Sequence, residues 1–426
     1  MSGKGKQPRV KGNLKPTSSS RAADLVGDDT AAINAFKANP ALAFAQFSQG
    51  LARDGNGSGK RIGSSGAHTP DQQSGASTPQ LSALDQIDGQ LAGQLKRLGK
   101  HDANTKMRAL GELRGYVAEH AWETGLEGML LAWPPLFRRH MFDTDRRVRM
   151  AVAQVHADLT AKIGRRLAAQ LKLLIGPWLA AYFDPSRDVA RCARQAFEAA
   201  FAEAKRAEAI AFCTAELLAF AVDNIVEQTA ESLGDPRVSD PEEIRSRHEH
   251  IVGASLSVLA LVVDEVAPER LLAHRPAFDA VLQSKQALAL VASPALYVRR
   301  SFYRLVRAVM LRCPQLAETS HAALAQALLK HCFADADAGA HGDMWDAVLL
   351  TTKSYPQVWL RGPAPSKKGT APIERVFEFL RHRCRLAPAI SYPSILALLA
   401  NLPDGVLDEP SFQPSLHSAL WQGAAD

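Results

Sequence analysis

The chain has 426 residues, 46% of them hydrophobic, and a formal net charge of +6, enough apolar material for two or three ordinary domains or one extended repeat array. Five scattered cysteines, Cys192, Cys213, Cys313, Cys332 and Cys384, form no close pairs; an odd count without a signal peptide argues against a secreted disulfide framework and suits a reducing cytosol. The longest nearly apolar run, Ile251 to Val263, falls well short of the roughly 20 residues that span a bilayer, so no membrane anchor is expected.

Residues 1–22 carry the whole charge excess. Lys4, Lys6, Arg9, Lys11, Lys15 and Arg21 precede the first acidic residue, Asp24, and without these six the chain holds 44 basic and 44 acidic residues. The segment lacks the apolar side chains to fold, which predicts a disordered basic tail. Unopposed charges on a segment free to mould itself to a partner suit a phosphate-rich surface, and nucleic acid fits best. A solubilising tail or nuclear-import signal is the plainer alternative.

Residues 23–47 form a weakly helical segment, Ala31 to Phe47, with the pair Phe44 and Phe47. Residues 48–80, with seven Gly and six Ser, read as a flexible linker. Within it, Gly55-Asn56-Gly57-Ser58-Gly59-Lys60 resembles a phosphate loop, but Asp54 stands where the first Gly is required and Arg61 where Ser or Thr is required.

From residue 81 to 426 apolar residues fall three and four apart between short breaks, and no convincing strand appears. Asp102, Asp143 and Asp184 recur at 41-residue intervals, each five residues before an apolar residue, Met107, Val148 or Val189. That period lies in the roughly 40–47 residue range of HEAT and armadillo arrays, whose repeats are stacked helix pairs. The expectation is an all-α, HEAT/armadillo-like helical-repeat solenoid. Each Asp is expected to cap a helix start, and the stripes opened by Val148 (Ala151, Val152, Val155, Leu159) and Val189 (Cys192, Ala193, Ala196, Phe197, Ala200, Phe201) to face inward. Ser293 with Val298-Arg299 is a degenerate copy; between Asp184 and Ser293 helices are legible but the register is not. After a last apolar helix, Tyr392 to Leu402, no polar capping repeat is evident, which predicts the front end of a longer array.

Catalytic and metal motifs are missing from this pattern. There is no nucleophile elbow and no spacing that singles out a triad. His248-Glu249-His250 cannot chelate together, since residues two apart on a helix point away from each other; an exposed helical face is expected there. His331-Cys332 and His382 with Cys384 lack further ligands at zinc spacing, and Trp133, Trp178, Trp345 and Trp359 read as core. Arg146, Arg147 and Arg149, with Arg299 and Arg300, form a candidate basic ridge, the alternative being a solvated face or pairing with nearby Asp. Composition and period therefore point to binding, and leave open a generic HEAT adaptor or transport scaffold with a localisation tail.

A specific resemblance narrows this. Gly3-Lys4, Lys6, Lys11-Gly12-Asn13, Pro16 and Arg21-Ala22-Ala23 resemble the start of the listerin family, the RING-type E3 ubiquitin ligases of ribosome-associated quality control. Leu95-Lys96-Arg97-Leu98-Gly99-Lys100-His101-Asp102, Trp133-Pro134 with Asp145-Arg146-Arg147-Val148-Arg149, Trp178-Leu179, Phe212-Cys213, Arg299-Arg300-Ser301-Phe302-Tyr303, Trp345-Asp346-Ala347-Val348-Leu349 and Tyr392-Pro393 follow in the family's order. The 48–80 stretch is a departure, an insertion relative to that pattern. The resemblance implies the N-terminal module of such a ligase. It would be a monomeric cytosolic solenoid that docks on the large ribosomal subunit, both rRNA and protein, and contacts the factor that recognises peptidyl-tRNA. It implies no cofactor in this chain; zinc belongs to a C-terminal RING, whose ligands five scattered cysteines cannot supply.

Overall fold

The computed structural model describes residues 89–233, 240–360, 371–382, 387, 389 and 391–425. The tail, the 23–47 segment and the 48–80 linker lie outside the described residues. Those described fall in one compact unit, and among them there is no strand. The helices are α1 (Gly89–Leu98), α2 (Ala103–Glu119), α3 (Glu127–His140), α4 (Arg146–Ile163), α5 (Leu171–Ala181), α6 (Arg187–Ala200), α7 (Glu203–Phe212), α8 (Thr214–Val222), α9 (Pro241–Glu265), α10 (Pro268–Ala273), α11 (Arg275–Leu282), α12 (Lys285–Ala289), α13 (Leu296–Arg312), α14 (His321–His331), α15 (Ala338–Ser354), α16 (Pro372–His382), α17 (Ser391–Ala400), α18 (Asp404–Leu407) and α19 (Phe412–Ala425).

They stack in two layers, as a HEAT/armadillo-like solenoid does. One layer runs α2, α4, α6 and then α9, α13, α15, α17; the other runs α3, α5, α8, α11, α14, α16, α19, with α12 wedged between α11 and α14. The chain does not stop at the apolar helix α17: α18 and α19 follow, and α19 packs back on α16.

Periodicity explains the core between the layers. On α4, Val148, Val152, Val155 and Leu159 are fully buried, matching the stripe that the 3.6-residue period dictates. Trp133, Trp178, Trp345 and Trp359 are at most 2% exposed, and each indole N–H finds an acceptor, as buried Trp generally does: His156 Nδ1 at 3.3 Å, the Ala193 carbonyl at 3.1 Å, Ser391 Oγ at 3.1 Å and Thr352 Oγ1 at 2.9 Å respectively. Gly164, at φ 54°, ends α4 in a conformation that a side chain would strain.

The helix starts depart from expectation in a systematic way. Asp102 does cap α2, its carboxylate accepting from Thr105 N at 2.7 Å. For α4 and α6, however, the cap positions are Asp145 and Ser186, two residues after the recurring Asp143 and Asp184. Ser293 likewise precedes the cap position Ala295 and accepts from its N–H at 3.2 Å. Only the next residues along have turned into the helix, so the recurring Asp is left free for another partner. Asp145→Ala, which removes the acceptor for Arg147 N at 2.8 Å, is expected to cost about 1 kcal/mol of stability, measurable by urea unfolding.

Candidate docking surface

What the recurring acids do is pin one repeat to the next. Asp143 accepts from the Asp145 backbone N–H at 3.0 Å and from Lys106 of the preceding helix α2 at 2.6 Å. Burial alone would raise the Asp143 carboxyl, but the polar neighbour His140, at 3.9 Å, and the hydrogen bond and charge of Lys106 outweigh it and hold the group well below the usual carboxylate range. Asp184 repeats the arrangement more deeply: it accepts from Ser186 N at 2.7 Å and from Arg149 of α4, Nε at 2.7 Å and Nη2 at 3.1 Å. Arg149 also gives Nη1 to the carbonyls of its own turn, Asp143 at 2.8 Å and Thr144 at 3.2 Å.

The same rung reappears after the stretch in which the sequence loses register. Arg299 holds Asp335 through Nε at 2.8 Å and Nη2 at 3.0 Å, and the Ser293 and Pro294 carbonyls through Nη1 at 2.8 and 3.1 Å. Asp337 pairs with the same guanidinium. Arg149 lies six residues after Asp143 and Arg299 six after Ser293, while His341, six after Asp335, bonds the Asp335 carbonyl at 2.9 Å and Ser391 Oγ of α17 at 3.1 Å. In these three the sixth position makes the contact, whereas Lys106, which reaches forward from α2 to Asp143, is the fourth after Asp102. That spacing was available in the sequence at Asp335 and His341, where the fifth residue is only Ala340.

These contacts divide the candidate basic ridge. Arg149 and Arg299 are buried in ion pairs inside the stack and are corrected from surface cations to internal pins. Arg146 is exposed on the first turn of α4; Arg147 is exposed and folds back on Asp145 at 2.7 Å. Arg300 is partly exposed and pairs with Asp343 of α15 at 2.8 Å. The tail cations Lys4, Lys6, Arg9, Lys11, Lys15 and Arg21 lie outside the described residues.

The His248–His250 stretch is corrected too. His250 points inward from α9, stacks edge-on against Phe142 and Tyr297, and lies 3.5 Å from Asp184. Burial pushes its imidazole down to about 4, with Asp184 opposing and Arg149 and Arg247 assisting. It is neutral and structural.

At α6 the ladder misses a rung. The sixth residue after Asp184 is Ala190, which cannot reach forward, and α6 has no close stacking contact with α9. Helix α9 packs instead on α5, α7, α8 and α13. A groove of about 1000 Å³ opens there, between Arg187, Asp188, Arg191, Arg194 and Glu198 of α6 and Tyr297 and Arg304 of α13. None of these was singled out from sequence, although Arg187, Arg191 and Arg194 fall on one helical stripe.

The described thiols, Cys192, Cys213, Cys313 and Cys332, are free. Burial pushes Cys213 up to about 11 and raises Cys192, Cys313 and Cys332. Among the described residues no three His, Cys, Asp or Glu side chains converge as a metal site, so they do not fit the zinc that a RING requires. No single described helix is long and apolar enough to cross a membrane.

Residues 84–402 match the family model described as E3 ubiquitin-protein ligase listerin, N-terminal domain. The E3 ubiquitin-protein ligase listerin of Mus musculus is 28% identical over 408 residues, covering 96% of this chain and 21% of that protein. That of Gallus gallus is 28% identical over 428 residues, covering 100% and 22%, and that of Drosophila melanogaster 31% identical over 271 residues, covering 63% and 14%. The chain spans about a fifth of the length of the first two relatives. Among solved structures a designed armadillo repeat protein, 14% identical at a TM-score of 0.27, covers 61% of this chain and 98% of that one, a likeness too low to add to the stacking described above.

Proposed function

Because the chain belongs to the family of listerin N-terminal domains, we propose that it docks a listerin-like E3 ubiquitin ligase onto the large ribosomal subunit. There it contacts rRNA and ribosomal protein, together with the quality-control factor that recognises the peptidyl-tRNA of a stalled nascent chain. The family match over residues 84–402 carries this reading. It works in the cytosol as a monomer and without a cofactor of its own; ubiquitin transfer falls to a zinc-binding RING elsewhere in the ligase.

Physical chemistry supports a division of labour. With Arg149 and Arg299 buried and Arg147 and Arg300 paired, the solenoid offers shape and a long surface. The six cations of residues 1–22 supply the salt-sensitive attraction to phosphate.

The test is sedimentation with purified large subunits over a salt series, with and without residues 1–22. The intact chain is expected to bind with a log–log salt slope of several units, and the truncation to flatten that slope by about 4–5 if all six charges meet phosphate. No binding by either form would overturn the docking; unchanged binding by the truncation would overturn the tail's part in it.

A further inference from the structure

The groove beside α6 combines features that ordinary stacking does not need. It is lined by the arginine stripe of α6, by the aromatic pair Tyr182 and Phe183, and by Tyr297 and Arg304 of α13. Tyr297 closes one end: its ring packs on Gly253 of α9, where any Cβ would collide with it, and its hydroxyl donates to the Phe183 carbonyl at 2.6 Å. Tyr297 thus links α9 and α13 to the turn after α5 at the edge of the groove.

The geometry points to this groove as a docking site for a short extended acidic peptide that carries an apolar or aromatic anchor. Charge complementarity is the first ground. Arg187 has no partner among the described residues, and Arg191 pairs only with Asp188, both side chains being 65% exposed, an arrangement worth little. Arg194 spends one N–H on the Tyr182 carbonyl at 3.0 Å and lies 5.8 Å from the Tyr182 ring, both neutral partners. Arg304 shares the single carboxylate of Asp343 with Arg300. Asp184, also at the groove, is consumed by Arg149. Arg187, Arg191 and Arg194 thus share only Asp188 and Glu198 on α6, and Arg304 opposite them has half of one carboxylate, Asp343.

Shape is the second ground. About 1000 Å³ is the upper end of the range of roughly 300–1,000 Å³ typical of binding pockets, room for a few extended residues. The aromatic pair suits a buried anchor, and guanidiniums bind carboxylates with two parallel hydrogen bonds. Asp188 and Glu198 bracket the arginine stripe near its two ends. A nucleic acid, charged at every step, would meet both carboxylates; a peptide can place a neutral or basic residue opposite each. A peptide is therefore favoured over RNA.

The test selects ten-residue peptides from a randomised phage-displayed library on the intact chain, with counter-selection on an Arg187→Glu/Arg191→Glu variant. Both side chains are exposed, so the variant should keep the parent's thermal melt. Selected peptides are expected to be rich in Asp and Glu with one aromatic or aliphatic residue. In fluorescence polarisation at 0.1 M salt they should bind the parent at least tenfold tighter than the variant. Asp188→Asn, which removes a like charge and leaves the groove's shape, should tighten the same peptides by two- to fivefold. Failure to enrich any peptide, enrichment of non-acidic ones, equal binding by the double variant, or tighter binding of a ten-nucleotide RNA would each overturn the proposal.

Discussion

Arg149→Ala is expected to destabilise the chain by about 3–5 kcal/mol, whereas Arg147→Ala, two residues away, should leave the urea midpoint unmoved. The two arginines look alike in sequence and differ in what their removal leaves behind. Arg147 is exposed and folds onto Asp145 beside it. Arg149 is 8% exposed and supplies two of the hydrogen bonds to Asp184, whose side chain is wholly buried. Without the guanidinium, Asp184 keeps Ser186 N–H and a neutral His250, and the Asp143 and Thr144 carbonyls lose a donor. The cost is that of an uncompensated buried charge, so Arg149→Ala/Asp184→Asn should be more stable than Arg149→Ala alone. Unfolding can be followed by tryptophan fluorescence, since Trp178 of α5 packs against His156 of α4 and Phe197 of α6. A loss below about 1 kcal/mol would mean that water reaches Asp184 and that the rung is not a pin.

The layered fold was legible because two independent periods agree: 3.6 residues within each helix and 41 between helix pairs. The Val148 stripe and the four tryptophans lie where those periods place them. What the sequence concealed is contact between repeats. Asp143 reads equally well as a cap or as an acceptor for the preceding repeat, and only the position of the helix start, two residues later, decides between them. Arg149 reads as a surface cation until its partner 35 residues away is known. The lost register has the same origin. With Ala190 in the pinning position and the long helix α9 following, the stack shifts, and the groove arises from that absent contact. Within the basic surface itself, legibility ended at residue type: Arg146 and Arg147 stand on the outside as expected, while Arg149 and Arg299 on the same helical starts are turned inward.

Mild acid is the second strong lever, and its target is the buried histidines. Burial pushes His156 down to about 3 and His250 to about 4, while in the unfolded chain each titrates near 6.5. Between those values the unfolded state binds protons that the native state refuses, so stability rises with pH there and is lost as pH falls from 6.5, through about 4 for His250 and about 3 for His156. When complete, the loss is on the order of 3 kcal/mol for His250 and 5 kcal/mol for His156. The structure gives the reason at His156: its Nδ1 accepts from the Trp133 indole at 3.3 Å while the ring packs against Phe137 and Trp178. Protonation would remove that acceptor and place a charge among aromatic rings, with no partner at Nε2. The window from pH 6.5 to 4.5 favours the histidines, because carboxylates held low, such as Asp143, titrate below it, while burial raises Asp264 toward it. His156→Gln keeps an acceptor for Trp133 and cannot titrate in this range. It should lower stability at pH 7 through poorer packing, yet flatten the fall across the window by up to about 1.4 kcal/mol per pH unit. An unchanged slope in His156→Gln would refute the assignment. His156→Gln/His250→Gln should flatten it further, leaving the residual slope of His140 and His331, which burial also depresses.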